Sequence, residues 1–211
     1  QIKGKEIFLN KGWKLPTTET FVDQILLAQS AVFMYAMLPV FDEWLVENKL
    51  TLTYYYVDEV GGWTNYLLLT AVYLFVVELG VYWMHRELHE IKWAYKYIHA
   101  LHHKYNRPDT LSPWASIAFN PLDGILQASP YVVCLFFIPC HYITHLVLVL
   151  LTAVWATNIH DALECDTEPF MGSKYHTMHH THYHCNFGQY TVLADWLWGT
   201  LRTPAPRKKD L

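Results

Sequence analysis

One long apolar segment sets the architecture of this chain: residues 124–159 have the sequence GILQASPYVVCLFFIPCHYITHLVLVLLTAVWATNI, which contains no formally charged side chain. A single helix of these 36 residues would be roughly 54 Å long at about 1.5 Å per residue. The hydrocarbon core of a bilayer is only about 30 Å thick. Because proline interrupts a helix, Pro139 predicts a turn between two membrane spans, residues 124–140 and 142–159. Such a hairpin returns the chain to the side of the membrane on which it started.

Two earlier segments are also apolar enough to cross a membrane. Residues 24–41 contain no Asp, Glu, Lys or Arg, and residues 61–84 contain only Glu78. The whole chain is 53% hydrophobic and 16% charged, whereas soluble proteins average about 25% charged residues. A buried helix pair in a soluble protein is the alternative, but these segments are long for it. We therefore predict an all-α integral membrane protein, a single domain over residues 1–211 with about four transmembrane helices.

The distribution of charge predicts how the spans are oriented, because Lys and Arg are enriched on the cytosolic side of membrane proteins. The link between the first two spans is predicted to be lumenal, since it carries Asp42, Glu43, Glu47, Asp58 and Glu59 against Lys49. The segments after the second and fourth spans are basic and contain Arg86, Lys92, Lys96, Lys104, Arg107, Lys174, Arg202, Arg207, Lys208 and Lys209. Residues 85–123 and 160–211 are thus predicted to face the cytosol. The net charge of -4 gives no basic field that would attract nucleic acid.

Most of the 13 histidines gather in three short clusters within the two predicted cytosolic segments. The clusters are His85 and His89; His99, His102 and His103; and His176, His179 and His180. Residues three and four apart share a helix face, so each cluster directs its imidazoles into one volume. The hairpin brings the third cluster back to the first two. Eight imidazoles exceed the four ligands of a structural zinc and suit a cytosolic cap that holds two first-row metal ions, which by ligand type alone could be iron, copper, nickel or zinc.

The remaining histidines divide by their predicted position along the spans. His160 follows the last span on the cytosolic side and is a candidate ninth ligand or a hydrogen-bond partner of a ligand. His141 and His145 also have HxxxH spacing, but they lie halfway along the hairpin, roughly 27 Å from the metal face. We predict lumenal or packing roles for that pair. His182 and His184 follow the third cluster, and we expect solvated or supporting roles for them.

These motifs resemble those of the fatty acid hydroxylase superfamily, and within it those of the sterol carbon-5 desaturases of plants and fungi. The similarity runs from about residue 82 to residue 200. It includes the HRxxH form of His85 to His89, Leu111-Ser112-Pro113, Pro121-Leu122-Asp123-Gly124, Asn158-Ile159-His160-Asp161, Gly172 through His180, and Asp195 to Thr200. Asn120 and Glu164 depart from the pattern, because each stands where these desaturases usually have histidine.

The resemblance implies a non-haem di-iron oxidoreductase that uses O2 to introduce the carbon-5 double bond into a Δ7-sterol. It also implies electrons from NAD(P)H, delivered by a reductase and a b-type cytochrome. A carboxylate can ligate iron, so Glu164 joins His160 as an additional candidate ligand.

Two alternatives remain open at this point. A hydroxylase of the same superfamily, acting on a fatty acyl, sphingoid or sterol-methyl substrate, would begin with the same hydrogen abstraction and could carry the same histidine clusters. A membrane zinc transporter or metal-binding protein belongs to another class, and it predicts ionisable ligands inside the spans.

The last four residues suggest a compartment. Lys208 and Lys209 stand four and three residues from the C-terminal end of the sequence, which is the spacing of a retrieval signal for membrane proteins with a cytosolic tail. We therefore expect a multi-pass protein of the endoplasmic reticulum membrane whose histidine clusters face the cytosol.

Overall fold

The computed structural model describes residues 16–107, 109–161 and 168–204, and this part of the chain is built almost entirely of helices. The helices in these ranges are α1 (Thr18–Tyr35), α2 (Met37–Glu47), α3 (Trp63–Glu90), α4 (Lys92–Ala94), α5 (Pro121–Cys134), α6 (Tyr142–Ile159), α7 (Ser173–His182) and α8 (Leu193–Leu197). Short 3-10 helices span Val57–Val60, His102–Lys104 and Pro113–Ile117, and a π-helical turn spans Tyr95–His99. Strands β1 (Thr53–Tyr54) and β2 (Cys140–His141) form a two-residue parallel pair. The predicted all-α class is confirmed.

Three segments of the described chain are long and apolar enough to cross a membrane: Thr18–Glu47, Trp63–Glu90 and Tyr142–Ile159. The last of these, α6, has the bounds predicted for the fourth span. The third predicted span, residues 124–140, is a shorter helix. With 14 residues α5 is about 21 Å long, which is less than the hydrocarbon thickness of about 30 Å.

Helix α5 ends at Cys134, six residues before the predicted end of that span. A residue that precedes proline is disfavoured in the helical region, so Ile138 cannot continue a helix into Pro139. The chain leaves the helix before that point through tighter turns, in which the Leu135 amide donates to the Val132 carbonyl at 3.1 Å. The break therefore occupies the whole connection from 135 to 141 instead of a single turn at the proline.

The first membrane segment is interrupted at Ala36, between α1 and α2. Pro39 has no N–H to donate to the Tyr35 carbonyl, and its ring crowds that carbonyl, so the regular helix breaks one turn earlier. Asp42, which we expected in the link between two spans, lies inside α2 and is buried. The acidic link is therefore partly helical, and this carboxylate belongs to the protein interior.

Helix α3 is long enough to cross the membrane and to carry histidines beyond it. Its 28 residues extend about 42 Å, some 12 Å more than a hydrocarbon core requires. The second membrane span was predicted to cover residues 61–84, and the helix continues beyond it to Glu90 because no proline or glycine interrupts residues 85–90. His85 and His89 consequently stand on the last turns of a long, rigid helix.

Helices α3 and α5 pack closely because a glycine faces a proline at their contact. A Cβ added to Gly80 would lie 2.8 Å from the Pro130 Cβ, closer than carbon atoms normally approach. Tyr73, Val77 and Tyr131 are buried in the core between these helices. The outer helix surfaces keep many large apolar side chains exposed, as expected for surfaces in contact with lipid.

Candidate metal centre

Four parts of the fold bring nine histidines to one end of the molecule. The first cluster comes from the end of α3, and the second comes from the π-helical turn and the 3-10 helix after α4. The third cluster lies on α7, and His160 directly follows α6. All nine side chains are buried, and His99, His179 and His180 are fully so.

The nine histidines form two groups, and in each group the ligand atoms lie within 4.8 Å of one another. The five-histidine group consists of His85, His89, His99, His103 and His179. The four-histidine group consists of His102, His160, His176 and His180. The structure thus brings together the eight histidines predicted as ligands and adds His160 to them.

The second and third sequence clusters each contribute to both groups. In the second cluster His99 and His103, four residues apart, point to the five-histidine group, while His102 points to the other. In the third cluster His176 and His180 share the four-histidine group, and His179 belongs to the five-histidine group. Adjacent positions on a helix point about 100° apart, so one short segment supplies both groups.

The spacing of ring nitrogens in the four-histidine group matches that of ligands around one ion. The Nε2 atom of His176 lies 2.9 Å from that of His160 and 3.2 Å from that of His180. The Nε2 atoms of His160 and His102 are 3.2 Å apart. Two ligands at right angles, each about 2.1 Å from a metal ion, would have nitrogens about 3.0 Å apart. This group could therefore hold a first-row metal ion.

A buried carboxylate fixes the ring of His99 in the five-histidine group. The Nδ1 of His99 donates to Asp123 Oδ2 at 2.8 Å, and both side chains are completely buried. Gln127 donates its Nε2–H to the other carboxylate oxygen of Asp123 at 2.8 Å. A carboxylate that holds one ring nitrogen directs the other toward a metal and makes it a stronger ligand. The sequence analysis did not assign this role to Asp123, although the residue lies within one of the motifs that carry the family resemblance.

Backbone carbonyls fix two other rings of the same group. His85 donates from Nδ1 to the Phe187 carbonyl at 3.0 Å, and His179 donates to the Cys185 carbonyl at 2.8 Å. The Nε2 atoms of both rings, and that of His89, are buried without a hydrogen-bond partner in the described part of the chain. Buried polar atoms are normally paired. Three converging lone pairs of this kind fit a bound cation.

Burial also keeps these imidazoles neutral, which metal ligation requires. It lowers the pKa of His179 to about 3 and the pKa of His160 to about 4. Burial lowers the pKa values of His102, His176 and His180 well below the ordinary value of 6.5. The charged form of a histidine is disfavoured away from water, so each ring retains a free lone pair at neutral pH.

The fatty acid hydroxylase family model matches residues 70–200, a range that contains all nine histidines. The chain belongs to the fatty acid hydroxylase family. It is 48% identical over 190 residues to a Δ7-sterol-C5(6)-desaturase of Nicotiana tabacum, an alignment that covers 90% of this chain and 70% of the relative. It is 45% identical over 194 residues to a putative Δ7-sterol-C5(6)-desaturase 2 of Arabidopsis thaliana, covering 92% and 69%.

A more distant relative is the lathosterol oxidase of Homo sapiens, which is 38% identical over 137 residues, covering 63% of this chain and 44% of that protein. No solved structure matches the chain. The resemblance to the fatty acid hydroxylase family that we inferred from the histidine motifs is confirmed.

The other four histidines of the chain lie outside both groups. His141 and His145 stand at the opposite end of α6, as predicted, and His145 has hydrogen-bond partners on both ring nitrogens. His182 and His184 are exposed beside the centre, and His184 Nδ1 lies 3.7 Å from Glu90 Oε1. Glu164, the other additional candidate ligand, lies outside the described residues.

Two half-buried tyrosines cover the outer side of the five-histidine group. The Tyr95 ring lies 5.4 Å from that of His89, and the Tyr183 ring lies 5.1 Å from that of His103. Asn106 donates its Nδ2–H to the Tyr183 hydroxyl at 2.6 Å, which fixes the second ring. In this family member the two rings separate the histidines from solvent, a role that no spacing of residues in the sequence indicates.

Proposed function

We propose that this protein is a sterol desaturase that introduces the carbon-5 double bond into a Δ7-sterol. The observation that carries the proposal is the pair of buried histidine groups at the end of the long apolar helix α3. The names of the relatives supply the substrate class, since the two plant proteins are Δ7-sterol-C5(6)-desaturases. A sterol is almost entirely hydrocarbon, so it would reach such a centre from within the bilayer.

The centre proposed here contains two iron ions, one held by each histidine group. Bound iron would supply the ability to reduce O2 and to remove hydrogen from an unactivated C–H bond. The overall reaction removes two hydrogen atoms from neighbouring carbons and, with two electrons and two protons from outside, reduces O2 to two water molecules. Asp123 and the carbonyls of Cys185 and Phe187 hold the ligand rings in place before substrate arrives.

Burial of the centre favours the proposed desaturation because it keeps water away from the metal ions. The nine imidazoles lie away from water, and Phe187, whose ring is 5.3 Å from that of His89, closes the space beside them. Exclusion of water protects a reactive oxidant from side reactions. The protein therefore contributes position and shielding, whereas the metal contributes the oxidation.

The electron source and the location are part of the same proposal. We propose that a b-type cytochrome and its NAD(P)H-dependent reductase deliver electrons on the cytosolic side, where the basic residues around the histidine clusters would lie. We propose the endoplasmic reticulum membrane as the compartment. Lys208 and Lys209 lie outside the described residues, and imaging a tagged chain beside a marker of this compartment tests the proposed location.

The proposed function is tested by expression in a fungal strain that lacks its own Δ7-sterol 5(6)-desaturase. Sterols extracted from the cells should gain the product with one more double bond when the wild-type chain is present. His179→Ala should abolish that product, whereas His141→Ala, a matched substitution far from the centre, should retain it. A product with an added oxygen atom would favour the hydroxylase alternative, and unchanged sterols despite a folded, iron-loaded protein would contradict the proposal.

A further inference from the structure

The segment from residue 185 to residue 191 orients two histidines of the five-histidine group, and we name it the orienting loop. Its carbonyls at Cys185 and Phe187 accept the Nδ1–H bonds of His179 and His85. A hydrogen bond on one ring nitrogen governs how the other nitrogen meets a metal. A group that fixes the peptide unit of either carbonyl therefore acts on the metal centre.

Asp195 is the residue that fixes the centre of the orienting loop. It is fully buried at the start of α8, and no histidine lies within hydrogen-bonding distance of its carboxylate in the described chain. Its Oδ1 accepts the Phe187 N–H at 2.8 Å and the Thr200 hydroxyl at 2.7 Å, while its Oδ2 accepts the Gly188 N–H at 2.8 Å. Every one of these bonds comes from a donor, as an ionised carboxylate requires.

One peptide group joins Asp195 to His85. The carbonyl of Phe187 and the N–H of Gly188 belong to the same planar peptide unit. His85 donates to the oxygen of this unit at 3.0 Å, and the N–H of the unit donates to Asp195 at 2.8 Å. Hydrogen bonds in series polarise one another, and the effect is larger in a buried, low-dielectric setting. The negative charge of Asp195 thus makes the Phe187 carbonyl a better acceptor for His85.

Gly188 lies so close to the Thr191 carbonyl and to Asp195 that no side chain fits at this position. A Cβ at residue 188 would lie 2.2 Å from the Thr191 carbonyl oxygen and 3.1 Å from Asp195 Oδ2. Any side chain would therefore push the peptide away from the carboxylate. The lack of a Cβ lets the loop fold tightly enough for the N–H of Gly188 to reach Asp195.

The connection from His179, the other histidine that this loop orients, is built differently. The Cys185 carbonyl that accepts from His179 shares its peptide group with the Asn186 N–H, which donates to the Thr200 carbonyl at 3.1 Å. This acceptor is neutral, although the Asn186 N–H also lies close enough to the Asp195 carboxylate to lower the pKa of that group. The two rings differ in their support, because the N–H behind the acceptor of His85 donates to the carboxylate at 2.8 Å, whereas the N–H behind the acceptor of His179 donates to a backbone carbonyl at 3.1 Å.

We propose that Asp195 is a positioning residue that tunes His85 as a metal ligand through the peptide group between Phe187 and Gly188. The proposal rests on the metal centre proposed above and concerns only the ion held by the five-histidine group. Asp195 contacts neither the ion nor the substrate. Loss of its charge should weaken the binding of that ion by roughly tenfold, as loss of such outer hydrogen-bond partners does elsewhere, and should leave the ion of the four-histidine group unchanged.

Glu78, a residue of α3, provides a matched control because it anchors the same loop. This buried carboxylate accepts the Tyr190 N–H at 3.0 Å and the Thr191 N–H at 2.8 Å. Neither of those N–H groups shares a peptide unit with a carbonyl that accepts from His85 or His179. Glu78→Gln and Asp195→Asn each remove one buried charge that anchors the loop, but only Asp195→Asn removes the charge connected to His85.

The test is Mössbauer spectroscopy of the full-length chain loaded with ⁵⁷Fe(II), together with its iron content and its thermal unfolding. Wild type should show two iron environments. Asp195→Asn should shift the signal of one environment, with weaker binding of one ion, and Glu78→Gln should shift neither. Signals of Asp195→Asn identical to wild type would overturn the proposal, as would an equal shift of the same signal in Glu78→Gln.

A second variant covers the case in which Asp195→Asn does not fold. Replacing Gly188 by glycolic acid changes one N–H to an ester oxygen, adds no Cβ and leaves Asp195 in place. The ester also makes the Phe187 carbonyl a weaker acceptor, so one shifted iron signal supports the connection from His85 through this peptide group, and an unchanged spectrum overturns the proposal. A folded wild-type chain that binds no iron would overturn the proposed metal centre and this inference with it, whereas two normal irons in every variant would overturn this inference alone.

Discussion

Two histidine pairs with the same HxxxH spacing stand at opposite ends of the molecule and differ in what their ring nitrogens contact. His145 Nε2 lies 2.7 Å from Asp42 Oδ2, and its Nδ1 lies 2.9 Å from the Tyr73 hydroxyl. His85 and His89, by contrast, each have a buried Nε2 without a hydrogen-bond partner among the described residues. His145 is therefore fully hydrogen-bonded within the protein, and His141 bonds through its Nε2 to the Tyr55 carbonyl. The pair of His85 and His89 presents lone pairs that a cation would satisfy.

This contrast shows that spacing alone does not identify a metal ligand. HxxxH places two imidazoles on one helix face wherever it occurs. Ligation also requires that several such faces converge and that the protein leave one nitrogen of each ring unused. In this chain the convergence is produced by α3, α6 and α7 meeting at one end of the fold.

The largest expected effect is the loss of metal when a histidine of either group is removed. His179→Ala and His102→Ala should each abolish desaturation and lower the iron content from about two ions per chain. Loss of a ligand should weaken binding by more than the roughly 10–100-fold typical of an outer hydrogen-bond partner. Elemental analysis of purified protein measures this, and an unchanged iron content in both variants would contradict the two-ion centre.

A smaller effect is expected at Asp123, which supports a ligand without contacting the ion. Asp123→Asn should weaken iron binding by roughly 10–100-fold, because an amide holds the ring of His99 less firmly than a carboxylate does. Competition with a soluble chelator measures the affinity. Gln127→Ala is the matched control, since it removes a neighbouring hydrogen bond to Asp123 and leaves the bond to His99 intact. Equal affinities in Asp123→Asn and wild type would contradict the supporting role.

The sequence predicted the parts of the fold and of the site that depend on side-chain type and periodicity. Its uninterrupted apolar run gave the bounds of α6 at Tyr142–Ile159, and the topology brought the predicted ligands together. The third span was predicted to extend to residue 140, whereas α5 ends at Cys134, because the effect of Pro139 extends back along the chain. The roles of Asp195 and of the Phe187 carbonyl were not predictable, since a backbone acceptor has no signature in a sequence.

A substitution at His145, at the end of the molecule opposite the metal centre, should lower stability and leave the iron content unchanged. His145→Ala removes the hydrogen-bond partner of a buried Asp42 oxygen, and an unsatisfied buried group costs about 1–3 kcal/mol. We expect the free energy of unfolding in detergent to fall by about that amount. Iron content should equal that of wild type, and a loss of iron as large as in His179→Ala would contradict the separation between the two ends.

The smallest effect is expected for His141→Ala, and it sharpens the comparison because this residue shares the HxxxH spacing with His145. The His141 side chain is only partly buried, and its Nε2 lies 2.9 Å from the Tyr55 carbonyl. Water can replace a partly exposed hydrogen bond of this kind, so the free energy of unfolding should change by less than about 1 kcal/mol. Iron content and turnover should both match wild type. A variant that unfolds as readily as His145→Ala would show that the pair acts as a unit, and one that loses iron would contradict the assignment of the metal centre to the opposite end of the molecule.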